Sequence, residues 1–388
     1  MKTRSAKSQN GFSLLELMIA SFVGLILIAA MARLFRLGMN TTFTVIQRAE
    51  TQQNMRAAIE LMTKDISMAG AGLPSGGLQM ASGSVTLVGC NQTGTCYVPG
   101  DVYPNSGTGV KNYMYGILPG YSNGVESGAT ISAAPAAVND SITSIYCDYN
   151  FPLTNFTFTF PSTTQADVAV VNSAVQPNNI LAAGGLNVGD LLLFQVSTPG
   201  NGTGDQGTSA AQTAAVVAEI TGLPAGGGSI TFAPGDPLNF NQTGANSLAY
   251  TISNLGSALG AGNTVSVCRL YAVTYFLQVP PTGGTVQTPR LMRQVNGLNA
   301  VPVADNIINL QFSYDVISST SGLMNANQSN PVAAGDSPAL IQKVNIWIMG
   351  QGLTSGNNKS QSMYLASSVS ARNMSFCNSY SDSATVCN

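Results

Sequence analysis

Phe12 to Ala32 is a 21-residue run in which only Ser13, Glu16, Ser21 and Gly24 interrupt apolar side chains. As a helix rising 1.5 Å per residue, such a run reaches roughly 30 Å, the thickness of one bilayer core. Lys2, Arg4 and Lys7 make the segment before it basic. No proline occurs before Pro74, and beyond Arg33 and Arg36 an apolar stripe continues through Met55, Ile59, Met62 and Ile66, spaced four, three and four apart. Arg56, Glu60, Lys64 and Asp65 are assigned to the other, solvated faces of this helix. Gly70 and Gly72 supply a stop. The expectation is one helix from Phe12 to Ala69, roughly 85 Å long at the α-helical rise, membrane-soluble in its first half and amphipathic in its second.

After Gly72 the pattern changes to short runs of Val, Ile, Thr, Phe and Tyr between Gly, Asn, Pro and Ser clusters, which makes the chain α+β with a large β-rich head. Expected strands are Ser141 to Tyr149, Asn155 to Phe160, Asp190 to Val196, Ala214 to Ile220 and Val265 to Val279, then Ile307 to Tyr314, Lys343 to Met349 and Met363 to Ala371. Phe156, Phe158 and Phe160 alternate with Thr157 and Thr159, as in a strand with one buried face. Residues 198–211 and 222–247 are expected as long loops, and the 71–388 head as one unit or two subdomains divided near 260.

Composition narrows the function. Only 8% of residues are charged, against a usual share of about 25%. There is no basic stripe for a nucleic-acid backbone. Removing Lys2, Arg4 and Lys7 from the 15 basic side chains leaves 12 against 17 acidic ones, a net of −5. Histidine is absent, which removes the commonest general base and imidazole metal ligand. No catalytic residue, metal or cofactor is expected. Cys90, Cys96, Cys147, Cys268, Cys377 and Cys387 contain no C-x-x-C pair, and an even count in an exported chain points to disulfides. Six cysteines leave many connectivities open; proximity favours Cys90–Cys96, Cys377–Cys387 and a long Cys147–Cys268 bridge.

The segment Gly11 to Ala20, GFSLLELMIA, resembles the processing site of type IV prepilins and pseudopilins. The resemblance implies cleavage after Gly11 by a prepilin peptidase, N-methylation of Phe12, and a role for Glu16 in docking the helix against the terminal amine of a neighbouring subunit. A carboxylate inside a membrane run costs about 3 kcal/mol and usually marks a function. An ordinary signal peptide cut at the A-x-A match Ala30, Met31, Ala32 competes, but the helical pattern continues straight through that site. The proline that kinks many major pilins within the membrane segment is absent, which argues against a major pilin.

Further along, five segments resemble the PilW family of minor pilins: Ala58 to Gly72, Gly189 to Val196, Arg290 to Val316, Lys343 to Gly352 and Tyr364 to Asn373. The implied organisation is a basic leader at 1–11, a pilin helix at 12–70 with 12–32 transmembrane, and the head. The implied partners are prepilin peptidase, other pilins and minor pilins through the helix, and the bacterial inner membrane before assembly, with no nucleic acid. The implied destination is the pilus. A J-type pseudopilin of type II secretion shares the leader and helix, and a pilus-borne adhesin is a rival of another class. Gly120 to Gly124 matches G-x-S-x-G, but without histidine it is expected as a turn.

Overall fold

In the computed structural model, which describes residues 12–74, 77–79, 113–122, 125–127, 130–132, 139–148, 153, 156–170, 185–197, 213–223, 228–236, 238, 240–244, 247–255, 264–279, 289–318, 321–331, 336–352 and 361–374, the N-terminal helix is continuous. This helix, α1, spans Leu14–Met68, 55 residues. Ser13 caps its start, and the chain leaves its end through Gly70 and Gly72 at φ of 82° and 74°, a left-handed conformation open to glycine at little cost. The stop expected from those glycines is thus a backbone requirement.

The two halves of α1 differ in what covers them. From Phe12 to Ile46 its large apolar side chains are exposed, and its most apolar window is 0% buried. From Thr51 onward one stripe is buried: Met55, Ala58, Ile59, Met62 and Ile66 pack against the head. Each fully buried Met or Ile contributes about 1.5–3 kcal/mol of apolar burial. Asp65 departs from expectation. It lies inside this buried stripe, 3% exposed, not on a solvated face.

All eight expected strands are present, their ends moved by up to three residues. Four form an antiparallel sheet in the order Met324–Gln328, Ile307–Ile317, Ile341–Gly352 and Gln361–Ser370. Along Ile341–Gly352 burial alternates, so Val344, Ile346 and Ile348 are buried in the core beneath α1 while Asn345, Trp347 and Met349 occupy the opposite face. Gly350 lets α1 approach: a Cβ there would lie 2.7 Å from Thr51 Cγ2 and 3.0 Å from Met55 Sδ.

A nine-stranded sheet is organised around the 16-residue strand Thr264–Val279. One of its edges pairs with Leu191–Ser197 and then Arg290–Val295; the other pairs with Ser141–Asp148 and then, in parallel, Val125–Ser127. Thr213–Glu219 lies outside Leu191–Ser197, and Val301–Ala304 lies outside Arg290–Val295. Pro302 sits in that edge strand, where a missing N–H is tolerated. Phe156–Ser162, Gln165–Val170 and Ser229–Thr231 form a third sheet, with Phe156 and Phe158 buried and Thr157 and Thr159 exposed as expected. Phe194 of the large sheet meets Phe158, Phe160 and Phe232 edge-on, closing the core between the two sheets.

The expected loop at 222–247 requires correction, since it contains the strand Ser229–Thr231. Its remainder is held by buried polar groups. Asn241 donates from Nδ2 to the Glu219 carbonyl at 2.7 Å and accepts from the Glu219 N–H at 2.9 Å, while Asp236 accepts from the Phe240 and Asn241 N–H groups. Residues 198–211 lie outside the described residues. Gly120, Tyr121 and Ser122 end a strand in a turn with Ser122 at φ 55°, consistent with the turn expected there.

Candidate functional site

The apolar half of α1 begins with a capping box. Ser13 Oγ accepts from the Leu15 N–H at 3.3 Å, and Glu16 Oε2 accepts from the Ser13 N–H at 3.1 Å. Both bonds satisfy amides that have no intrahelical partner, and the carboxylate stands where the helix dipole favours a negative charge. Ser-x-x-Glu before an apolar run was a visible signal for this arrangement, and sequence reasoning passed over it for the processing motif. Phe12 is 88% exposed; Gly11 lies outside the described residues. The first turn therefore places a carboxylate beside the amide of the second residue that cleavage after Gly11 would leave.

At the other end of α1, Asp65 joins helix to head. Tyr146 Oη donates to Oδ1 at 2.9 Å, Tyr275 Oη donates to Oδ2, and Arg293 Nε donates to Oδ2 at 2.8 Å. Three segments distant in sequence therefore converge on one buried carboxylate. Burial and the adjacent Asp65 charge push both tyrosine hydroxyls upward, so they stay protonated and donate. Burial opposes the Arg293 charge, but its hydrogen bond and attraction to Asp65 raise its pKa overall. A signal existed: Thr51, Ala58 and Asp65 recur at spacings of seven, the period of the buried stripe.

The chain just past Asp65 is fastened through its backbone. Gly70 N–H donates to the Ile145 carbonyl at 2.8 Å, Cys147 N–H donates to the Ala71 carbonyl at 2.8 Å, and Gln195 Nε2 donates to the Gly72 carbonyl at 2.8 Å. Gly116 crosses so closely that a Cβ would lie 2.4 Å from Gly70 N. Asn373 Nδ2 donates to the Ser67 carbonyl at 3.3 Å, satisfying an acceptor that the helix end leaves open. Arg293, Gly350 and Asn373 thus contact the C-terminal half of α1, and Gln195 fastens the chain just beyond it.

Cys147 and Cys268 are joined by a disulfide with Cα atoms 5.7 Å apart, linking Ser141–Asp148 to the central strand two residues from where Cys147 opposes Leu270. Beside it Arg269 forms an ion pair with Asp148 and lies 5.2 Å from the Tyr271 ring centroid. Cys90, Cys96, Cys377 and Cys387 lie outside the described residues.

This arrangement has the parts of a mechanical coupling: an exposed apolar rod, a capped acidic start and a buried ionic clamp where the rod meets the head. Comparison with known proteins addresses the first of these. The family described as the prokaryotic N-terminal methylation motif matches residues 6–32. No curated protein and no solved structure matches the chain. The chain carries this motif at the start of a long apolar helix followed by a β-rich head, a type IV pilin-like α+β architecture.

Proposed function

We propose that this chain is a minor pilin of the PilW kind, a structural and assembly subunit of a type IV pilus. Prepilin peptidase removes residues 1–11, and Phe12 becomes the N-methylated terminus. Residues 12–32 hold the subunit in the bacterial inner membrane with the head outside the cytoplasm, until the helix packs among other pilin helices in the filament. One observation carries this reading: the methylation motif at 6–32 covers the start of α1, whose most apolar window is 0% buried by its own head. An uncovered apolar rod of that length needs lipid or other helices around it.

Mass spectrometry of the protein from membranes and from sheared filaments tests the proposal. A mature terminus at N-methylated Phe12 in both fractions is expected. A terminus at Arg33, or confinement to membranes in a piliated strain, overturns it.

A further inference from the structure

The four-stranded sheet turns one face to α1 and the other, which carries Gln311, Asn345 and Trp347, away from it. Trp347 is the only tryptophan in the sequence, and it stands on that outward face of Ile341–Gly352. Its cross-strand neighbours are Gln311 on one side and the exposed Ala366 on the other. The Tyr364 ring stacks beside it with centroids 6.5 Å apart and planes 20° from parallel, and Tyr364 is 74% exposed. The half-buried Trp347 and the exposed Tyr364 thus form an aromatic pair on the face turned away from α1.

A cavity of about 730 Å³, lined by Trp347 and Tyr121 among others, is within the size range of about 300–1,000 Å³ usual for small-molecule sites. Asn345 is fixed there, since its Nδ2 donates to Asp315 Oδ1 and to Asn327 Oδ1, each at 3.2 Å. Asn327 is itself held at φ 57°, its N–H donating to Asp315 Oδ1 at 2.9 Å. Asp140 also lines the cavity, its carboxylate accepting from the Ser122 and Phe312 N–H groups at 2.8 and 2.9 Å. A carboxylate has about four lone-pair positions, so two backbone donors leave it able to accept from a ligand hydroxyl.

No Lys or Arg lines this cavity among the described residues. The cation nearest in register, Lys343, is paired with Asp315 at 3.2 Å. The lining therefore offers aromatic faces, amides, hydroxyls and one acceptor carboxylate, and nothing that would neutralise an anion. We infer that the cavity lined by Trp347 and Asn345 of the four-stranded sheet and by the adjoining Asp140 and Tyr121 is a binding site for a neutral oligosaccharide. The C–H face of a sugar ring stacks on the indole, its hydroxyls exchange hydrogen bonds with the ordered amides, and Asp140 selects a hydroxyl donor over a negatively charged substituent. The site lies on the sheet face opposite α1, so its test does not depend on how the helix assembles.

The lone tryptophan makes the test direct. Mature full-length protein in a detergent without a sugar headgroup is applied to an immobilised array of neutral and sialylated or sulfated oligosaccharides. Hits are then titrated by Trp347 fluorescence. Saturable binding to neutral members is expected, with acidic analogues weaker. Ala366→Leu, a change on an exposed strand position beside the indole, and Asn345→Ala are each expected to weaken binding by about tenfold, the effect of losing one stacking or hydrogen-bond contact. Circular dichroism melts of both variants establish that the head is folded. Absence of binding to every neutral member, preference for acidic ones, or unchanged affinity in a folded Ala366→Leu protein overturns the inference. So does the finding that Ala366→Leu only lowers filament incorporation, which would make this face a contact between subunits.

Discussion

Arg293 Nε lies 2.8 Å from Asp65 Oδ2, an ion pair joining the last turn of α1 to a strand 228 residues later in the chain. Asp65 is 5% and Arg293 24% exposed at the side chain, so the pair is largely removed from water. Removing one member leaves the other charge uncompensated, a loss of about 3–5 kcal/mol for fully buried pairs. Asp65→Ala also strands the Tyr146 and Tyr275 hydroxyls and is expected near that upper figure, with Arg293→Ala milder because water reaches the guanidinium. A double-mutant cycle measured by denaturant unfolding should return a coupling of about 1–3 kcal/mol. Strict additivity would mean that the two side chains do not act as a clamp.

The Glu219 carboxyl is pushed up from 4.5 to about 7, mainly by burial and further by the neighbouring Asp236. Between those values the native state keeps a proton that the unfolded chain has released, so stability falls as pH rises through this window. Asp140 acts in the same direction between 3.8 and about 6, again through burial. Glu219→Gln keeps an acceptor for the Leu238 N–H and cannot ionise. The variant is expected to flatten the decline from pH 5 to pH 8 and to exceed wild type at pH 8 by about 2 kcal/mol. Guanidinium midpoints at the two pH values decide this, and parallel pH profiles for the two proteins would refute it.

The Cys147–Cys268 bridge spans 121 residues of sequence and lies within the central sheet. Replacing both cysteines by alanine should lower stability by about 2–5 kcal/mol. Non-reducing peptide mapping should recover the cross-linked peptide directly. Free thiols at both positions in folded protein would contradict the pairing.

What the sequence made readable follows from the range of the interactions involved. α1 and its glycine stop are local, and eight strands were marked by β-branched and aromatic runs. Strand order was not readable, because Thr264–Val279 pairs with Ser141–Asp148 across more than a hundred residues and no local pattern encodes that choice. Met324–Gln328, MNANQ, forms a strand only because Ile307–Ile317 offers it an edge. Asp65 was misplaced because its charge was given more weight than its position. A carboxylate three residues after Met62 and seven after Ala58 belongs to the buried stripe when Arg293 is available, and only the fold brings Arg293 there. Glu16 stood out through its motif, whereas its bond to Ser13 depends on where the helix starts.

That bond creates a problem for testing Glu16, because alanine at this position removes a helix cap as well as a charge. Loss of the capping interaction alone costs about 1 kcal/mol, small beside the about 3–5 kcal/mol expected when a charge partner is left unpaired in a water-poor environment. Glu16→Gln separates the two. Glutamine at the third helical position can still accept from the Ser13 N–H, so the cap survives while the negative charge is lost. If Glu16 docks the helix by meeting a neighbour's terminal ammonium, both Glu16→Ala and Glu16→Gln will be cleaved after Gly11, since the glycine and the apolar start are intact, yet both will remain in the membrane fraction. If Glu16 matters only as a cap, Glu16→Gln will enter sheared filaments at the wild-type level and Glu16→Ala will fall short. The ratio of processed protein in filaments to that in membranes, measured for the three forms side by side, separates these cases. We expect the two variants to fail together.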